Sequence, residues 1–290
     1  RLPVRSGMAH ETIRVLFPES YGGLPASEIT IAELLKPLGY ATIAIGKWHL
    51  GHLPQFLPTR QGFDSYFGIP YSNDMDKVPD RPPGNEIFLR PKIEYFNVPL
   101  MRDEQIIERP ADQRTLTRRY TEEAIRFIRQ HKQRPFFVYL AYTFPHVPLF
   151  RSEQFAGVSR RGLYGDVVEE IDWSVGQILD TLRKEGLAES TLVIFTSDNG
   201  PWLTFKEQGG SAGLLRGGKG STWEGGMREP GIFWWPGKIK PAVVHEIGST
   251  LDLLPTIARL TGAKLPDDRI LDGYDISPAL LGTGPSPRDR

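Results

Sequence analysis

Short apolar runs that alternate with amphipathic helical patterns are the feature that most constrains the fold of this chain. The run from Leu192 to Thr196 is rich in β-branched and aromatic residues, which is typical of a buried strand in a parallel sheet. Similar runs cover residues 40–45, 136–142 and 232–235. Helical patterns cover residues 27–38, 112–131, 167–182 and 251–260, and Ser27 is the predicted N-cap of the first helix. This alternation predicts an α/β domain with a mainly parallel or mixed central sheet and helices on both faces.

Two long stretches lack such a pattern. Residues 52–112 are rich in Pro, Asp and aromatic residues, which indicates a long irregular loop. Loops of this length inside a compact domain are usually functional, so we expect this one to set specificity. Residues 267–290 are also expected to be loop-like.

The composition excludes several functional classes. Lys+Arg and Asp+Glu both number 35, so a formal net charge of zero gives no reason to expect nucleic-acid or membrane-surface binding. No run of about eighteen apolar residues is present, so we expect no transmembrane helix. Cys is absent, which excludes disulfides, thiolate catalysis and Cys-ligated zinc within these 290 residues.

Polar residues follow three of the predicted strands at the point where each strand ends. Lys47 and His49 follow the first strand, His146 follows the strand over residues 136–142, and Asp198 and Asn199 follow the strand that ends at residue 196. In open α/β sheets, ligands bind beyond the carboxyl ends of the strands. We therefore expect these three loops to meet at one edge of the sheet and form one site.

Each of these residues has a functional and a structural interpretation. Asp198 and Asn199 offer oxygens that suit Ca²⁺ or Mg²⁺, although an Asx turn would also explain them. Lys47 and His49 are two residues apart, so in an extended segment both could face one anionic group. A surface lysine and a capping histidine are the alternative for that pair. His146 lies between prolines, which would hold it at the sheet edge, or it could be a structural histidine.

A glycine-rich segment over residues 217–222 carries a further lysine, Lys219. Its Gly-Gly-Lys-Gly-Ser-Thr sequence superficially suggests a phosphate-binding loop. The spacing differs from Gly-x-x-x-x-Gly-Lys-Ser/Thr, and no apolar strand leads directly into it, so we reject ATP binding. Two lysines, two histidines and two cation ligands on separate loops instead suit the transfer of a highly charged anionic group. Composition leaves both sulfate and phosphate open.

Several segments resemble the sulfatase family, specifically its arylsulfatase A-like branch, and they occur in the family's order. The segment from Gly39 to Gly51 is similar to the second signature of that family. Further similar segments lie at residues 61–64, 68–72, 145–148, 197–201 and 217–230. The resemblance implies an alkaline-phosphatase-like sulfatase fold and hydrolysis of sulfate esters of sugars, glycolipids or aryl compounds. It also implies an exported protein, whether periplasmic, extracellular or lysosomal.

The resemblance also implies roles for the charged residues. Asp198 and Asn199 would be ligands of Ca²⁺, which is expected in preference to Mg²⁺. Lys47 and Lys219 would contact the sulfate and the nucleophile.

The resemblance also implies roles for two histidines and one serine. His49 would hydrogen-bond the nucleophile, which in this family is a hydrated formylglycine. His146 would contact the sulfate as a candidate general acid, and Ser72 would lie near the sulfate.

The sequence departs from the family's pattern near its start. It has no Cys and no Ser-x-Pro-Ser-Arg, the motifs from which formylglycine is made, and it lacks the family's N-terminal Asp-Asp metal pair. The segment from Arg1 to Met8 resembles the residues that follow the nucleophile motif. We therefore expect residues 1–290 to be a partial catalytic domain, truncated at both ends and inactive alone. A smaller C-terminal subdomain would start at about residues 265–290.

Two alternative functions stay open at this point. A phosphodiesterase or phosphonate hydrolase of the same superfamily would carry an upstream Thr in place of the convertible Cys or Ser. A non-catalytic protein that binds sulfated glycans would keep the two lysines and two histidines as an anion pocket. For the sulfatase interpretation we expect the partner to be a sulfated small molecule or glycan, and we expect no nucleic-acid partner.

Overall fold

A five-stranded mixed sheet forms the centre of the computed structural model, which describes residues 1–9 and 15–289. Its strands are β1 (Ala41–Lys47), β2 (Ser65–Ile69), β3 (Leu100–Arg102), β4 (Gln105–Glu108) and β5 (Phe136–Ala141), in the spatial order β4-β3-β2-β1-β5. β2 and β5 flank β1 in parallel, whereas β3 and β4 are antiparallel. The prediction of a mixed central sheet is confirmed.

Helices cover both faces of this sheet, as the alternation of side chains along β1 requires. The helices are α1 (Ile31–Leu35), α2 (Glu86–Leu89), α3 (Leu116–His131), α4 (Gly162–Lys184), α5 (Glu224–Met227), α6 (Leu253–Thr261) and α7 (Ser277–Leu281). Ile43 and Ile45 belong to the larger apolar core, with residues of α3 and α4. Ala44 points the other way, into a smaller core that includes Ala32 of α1. None of the helices in the described part of the chain is long and apolar enough to cross a membrane.

The first helix begins later than its sequence pattern predicted. Thr30, not Ser27, is the N-cap: its hydroxyl accepts from the Glu33 N–H, and the Glu33 carboxylate accepts from the Thr30 N–H. Pro37 converts the last turn into a 3₁₀ helix, and Gly39 ends it in the left-handed conformation at φ 81°. The capping box outcompetes the serine because it satisfies two helix-end groups at once.

The strand predicted at residues 192–196 forms, but its predicted parallel pairing is wrong. β6 (Val193–Thr196) pairs antiparallel with β7 (Gly231–Trp234) in a separate two-stranded sheet. The run is also only partly buried, and Ile232 of its partner strand is 57% exposed. A short apolar run predicts a strand but does not specify the partner or its direction, which here comes from a segment beyond a long loop.

The two stretches that were expected to be irregular contain regular elements. Residues 52–112 hold β2, β3, β4 and α2, and the tail holds α7. β2 escaped detection because Gly68 weakens its strand pattern. That glycine is required by close packing, since a Cβ there would lie 1.9 Å from the Gly46 carbonyl oxygen.

Candidate active site

Three polar loops begin side by side because β1, β2 and β5 are parallel neighbours. Lys47 at the end of β1 is in register with Ile69 at the end of β2, and Gly46 is in register with Ala141 of β5. The loops that follow carry His49, Ser72 and His146. The sheet therefore delivers these side chains to one edge.

Close packing between β1 and β5 fixes the backbone next to Lys47. Gly46 has φ 99°, and a Cβ at this position would lie 1.8 Å from the Ala141 carbonyl oxygen, so the two strands pack closely there. Burial lowers the pKa of Lys47; the negative charge of Asp198 raises this pKa, and the positive charge of Lys219 lowers it. The amine therefore lies within electrostatic reach of both Lys219 and Asp198, which follows the end of β6.

His49 is fixed by its own backbone and by one ring nitrogen. It has φ 58°, which is uncommon for a non-glycine residue, and its N–H donates to the Pro70 carbonyl oxygen at 3.1 Å. Nε2 lies 2.8 Å from the Leu16 carbonyl oxygen. A carbonyl only accepts, so Nε2 carries the proton and Nδ1 of the neutral ring is an acceptor. Burial and the charge of Lys47 lower the pKa of His49.

His146 has the opposite proton arrangement. Its Nδ1 lies 2.6 Å from the Val147 carbonyl oxygen, so Nδ1 donates and Nε2 of the neutral ring carries a lone pair. Asp74 Oδ1 lies 4.0 Å from the same Nδ1. Burial, followed by the charge of Lys47, lowers the pKa of His146 to about 4, while Asp74 opposes that shift. The ring is therefore neutral near pH 7 when no anion is bound.

Trp202 links His146 to Lys219. Its ring centroid is 5.4 Å from that of His146, and the Lys219 ammonium lies 4.8 Å from the centroid of the Trp202 ring system. The Lys219 N–H donates to the Pro201 carbonyl oxygen at 2.9 Å, which ties the glycine-rich segment to the loop after β6. In this way a lysine distant in sequence joins the cluster of Lys47 and the two histidines.

The cation ligands inferred from the sequence lie at the end of β6. Asn199 Nδ2 donates to Asp198 Oδ1 at 2.9 Å. Glu229 lies beside them, and its buried Oε1 has no hydrogen-bond partner within residues 1–9 and 15–289. Burial, followed by the Asp198 charge, raises the pKa of Glu229. Carboxylate and amide oxygens fit a hard cation in chemical type, but Ca²⁺ takes about six to eight oxygens. Among residues 1–9 and 15–289, no group of three or more His, Cys, Asp or Glu side chains is disposed to hold a metal ion.

The turn after β2 contributes buried polar atoms to the same region. Ser72 is 1% exposed and its hydroxyl has no hydrogen-bond partner among the described residues; Asp74 Oδ1 has none either. Asp74, Trp202 and Glu229 were not identified from the sequence. Asp74 carried one usable signal, since it follows a strand end as the other site residues do, but that strand had not been recognised.

The resulting site is a cluster of two amines and two imidazoles. Lys47 and Lys219 both lower the pKa of each histidine, so all four groups lie within electrostatic reach of one another. Such a cluster can bind a tetrahedral dianion through its oxygens, and one imidazole can exchange a proton with it.

Comparison with known proteins agrees with this geometry. A solved structure, that of the PsFucS1 sulfatase from Pseudoalteromonas sp., superposes with a TM-score of 0.84 at 30% identity, covering 99% of this chain and 61% of that one. The chain therefore has the alkaline-phosphatase-like fold of the sulfatases. The sulfatase family model matches residues 3–263. The chain therefore belongs to the sulfatase family.

Two curated relatives show how much of a sulfatase this chain represents. It is 46% identical over 295 residues to arylsulfatase A from Homo sapiens, covering 99% of this chain and 57% of that protein. It is 44% identical over 298 residues to N-acetylgalactosamine-6-sulfatase from Rattus norvegicus, covering 97% of this chain and 54% of that protein. The chain thus spans a little more than half the length of these relatives.

Proposed function

We propose that the protein is a sulfatase, a sulfuric ester hydrolase that cleaves sulfate esters of sugars, glycolipids or aryl compounds. The observation that carries this proposal is the cluster of Lys47, Lys219, His49 and His146 at the ends of parallel strands. Membership of the sulfatase family supports sulfate over phosphate. On the same family basis, we propose an exported location and a sulfated small molecule or glycan as the partner.

The residues of the cluster take distinct roles in this proposal. The ammonium groups of Lys47 and Lys219 bind the non-bridging sulfate oxygens and neutralise their charge. His146 Nε2 faces the bridging oxygen and donates a proton to it as the leaving group departs. The Ser72 hydroxyl donates to another sulfate oxygen, which accounts for its lack of a hydrogen-bond partner among the described residues. His49 Nδ1 accepts a hydrogen bond from the attacking hydroxyl.

A metal ion and a nucleophile, neither of which is present among these residues, would complete the site. We propose Asp198 and Asn199 as two of the ligands of a Ca²⁺ ion, with the remaining oxygens supplied by other groups. When bound, the ion withdraws electron density from sulfate oxygens, and a formylglycine would supply the attacking hydroxyl. The 290 residues contain no Cys and no Ser in the convertible motif, so this nucleophile would come from outside them.

The full natural polypeptide and residues 1–290 are expected to differ in activity. The full polypeptide should hydrolyse p-nitrophenyl sulfate, whereas purified residues 1–290 should release p-nitrophenol no faster than buffer, because they contain no residue that can become formylglycine. Circular dichroism of residues 1–290 controls for unfolding. Turnover by residues 1–290 would refute the assigned nucleophile, and a full polypeptide that prefers a phosphodiester would favour the phosphodiesterase alternative.

Sulfate affinity is expected to rise as the pH falls. In the free site the pKa of His146 is about 4. A bound sulfate dianion raises this pKa, so between the two values binding takes up a proton and tightens with decreasing pH, and it levels off below about pH 4. Calorimetric titration of the full polypeptide with inorganic sulfate, from about pH 4 to about pH 8, measures this effect.

Histidine variants assign that pH dependence to one ring. His146→Gln should flatten the profile, while His245→Gln, at an exposed position, should leave it unchanged. A profile that persists in His146→Gln would place the proton uptake elsewhere and contradict the assignment of His146.

A further inference from the structure

Asp74 places a carboxylate inside the cationic cluster. Its side chain is 15% exposed, and its buried Oδ1 has no hydrogen-bond partner among the described residues. The same oxygen lies 4.0 Å from His146 Nδ1. A buried carboxylate oxygen without a donor is costly in free energy unless nearby positive charge compensates it. The buried position of Asp74 therefore indicates a function that depends on the neighbouring positive charges.

The surrounding hydrogen bonds fix Asp74 relative to the His146 loop. Asn73 Nδ2 donates to the Pro148 carbonyl oxygen at 2.9 Å and to Gln113 Oε1 at 2.9 Å. Pro148 lies two residues after His146, so the neighbour of Asp74 ties the turn after β2 directly to the loop after β5. The approach of Asp74 to the imidazole is thus fixed by a hydrogen bond between the segments that follow β2 and β5, the two strands that flank β1.

Asp74 also balances the charges that face His146. Lys47 and Lys219 disfavour the protonated ring, and the Val147 carbonyl oxygen and Asp74 favour it. The negative charge of Asp74 also raises the pKa of Lys47 and the pKa of His49. Among the largest electrostatic contributions to the pKa of His146, Asp74 is the carboxylate that opposes the two lysines.

We propose that Asp74 is a positioning residue that holds His146 as an imidazolium, with Nε2–H directed at the leaving oxygen, once a sulfate ester is bound. This rests on the proposed sulfatase function. As the attacking hydroxyl oxygen bonds to sulfur, its proton passes to His49 Nδ1, the bond from sulfur to the leaving oxygen breaks, and the electron pair of that bond goes to the leaving oxygen. The Nε2 proton moves to the same oxygen, so a neutral alcohol departs and the ring becomes neutral. The Asp74 carboxylate neither gives nor receives a proton in this step.

Esters with good and poor leaving groups distinguish this role from a structural one. In the full natural polypeptide, Asp74→Asn should lower kcat/KM for a sugar 6-sulfate by about tenfold, since an alkoxide needs the proton. The same variant should change kcat/KM for p-nitrophenyl sulfate by less than about threefold, because nitrophenolate departs without one. Asp74→Glu should recover part of the loss, and Asp80→Asn, an exposed position in the same segment, should change neither rate.

Affinity for inorganic sulfate gives a second readout that does not depend on turnover. In Asp74→Asn the rise of sulfate affinity with falling pH should shift to lower pH, because the protonated His146 ring loses the carboxylate that favours it. Equal losses for both esters together with an unshifted pH profile of sulfate binding would show a merely structural role and overturn the proposal. If the unchanged protein hydrolyses neither ester, the proposed function fails, and the pH profile of sulfate binding still decides whether the Asp74 charge acts on His146.

Discussion

Replacing Lys47 by Met is expected to lower kcat/KM for p-nitrophenyl sulfate by about 10³-fold. Methionine keeps much of the side-chain volume but removes the ammonium that lies with Lys219 and both histidines in the cluster. Because this charge is partly removed from water, water cannot replace its contact with the sulfate oxygens. Steady-state kinetics of the full natural polypeptide, with a calorimetric titration of inorganic sulfate, measures both the catalytic and the binding loss.

Lys184→Met is the matched control for this substitution. Lys184 is exposed at the end of α4, so the same change there removes a charge without touching the cluster. The control should stay within about twofold of the unchanged protein, as expected of an exposed charge. A Lys47→Met variant with rates and sulfate affinity similar to the control would contradict the assigned role of Lys47.

Replacing Gly46 by Ala is expected to lower the free energy of unfolding by about 3–5 kcal/mol. Two effects add at this position: φ is 99°, and the new Cβ would lie 1.8 Å from the Ala141 carbonyl oxygen. The contact is with backbone of the neighbouring strand, so β1 and β5 would have to separate where Lys47 begins its loop. Urea unfolding of the full natural polypeptide, followed by circular dichroism, measures the loss.

Gly39→Ala separates backbone strain from the steric contact. Gly39 has φ 81°, yet a Cβ there would meet no atom within 4 Å. Its substitution should therefore cost only about 1 kcal/mol, the price of the left-handed conformation. Equal costs at the two positions would show that β1 and β5 are not packed as closely as the structure describes.

The sequence predicted the elements whose patterns are strong and local. The helical patterns that became α3 and α4 were confirmed because a wide apolar stripe at a period of 3.6 residues is seldom compatible with anything else. The site loops after β1 and β5 followed from the same reasoning, since parallel neighbours end at one edge of the sheet.

Elements defined by long-range contacts could not be predicted in this way. β2 depends on the close approach of Gly68 to Gly46, and a glycine in a strand removes the side-chain pattern that would reveal it. β6 took an antiparallel partner from beyond a long loop, which a run of apolar residues does not encode. Missing β2 as a strand also hid Asp74, which lies in the turn after it.

The distant members of the site were identified through family resemblance rather than spacing. Nothing in the sequence around Lys219 places it beside Lys47; the structure does so through Trp202 and the loop after β6. The roles assigned to Ser72, Asp198 and Asn199 remain predictions, because their arrangement is compatible with those roles but does not demonstrate them.

A crystal structure of the full natural polypeptide with bound sulfate tests the central claim most directly. The account predicts one sulfate whose oxygens lie about 3 Å from Lys47 Nζ, Lys219 Nζ and His146 Nε2. A sulfate bound instead in the neighbouring cavity of about 270 Å³ lined by Tyr71, Asp76 and Arg109, with the four cluster residues contacting only water, would contradict it.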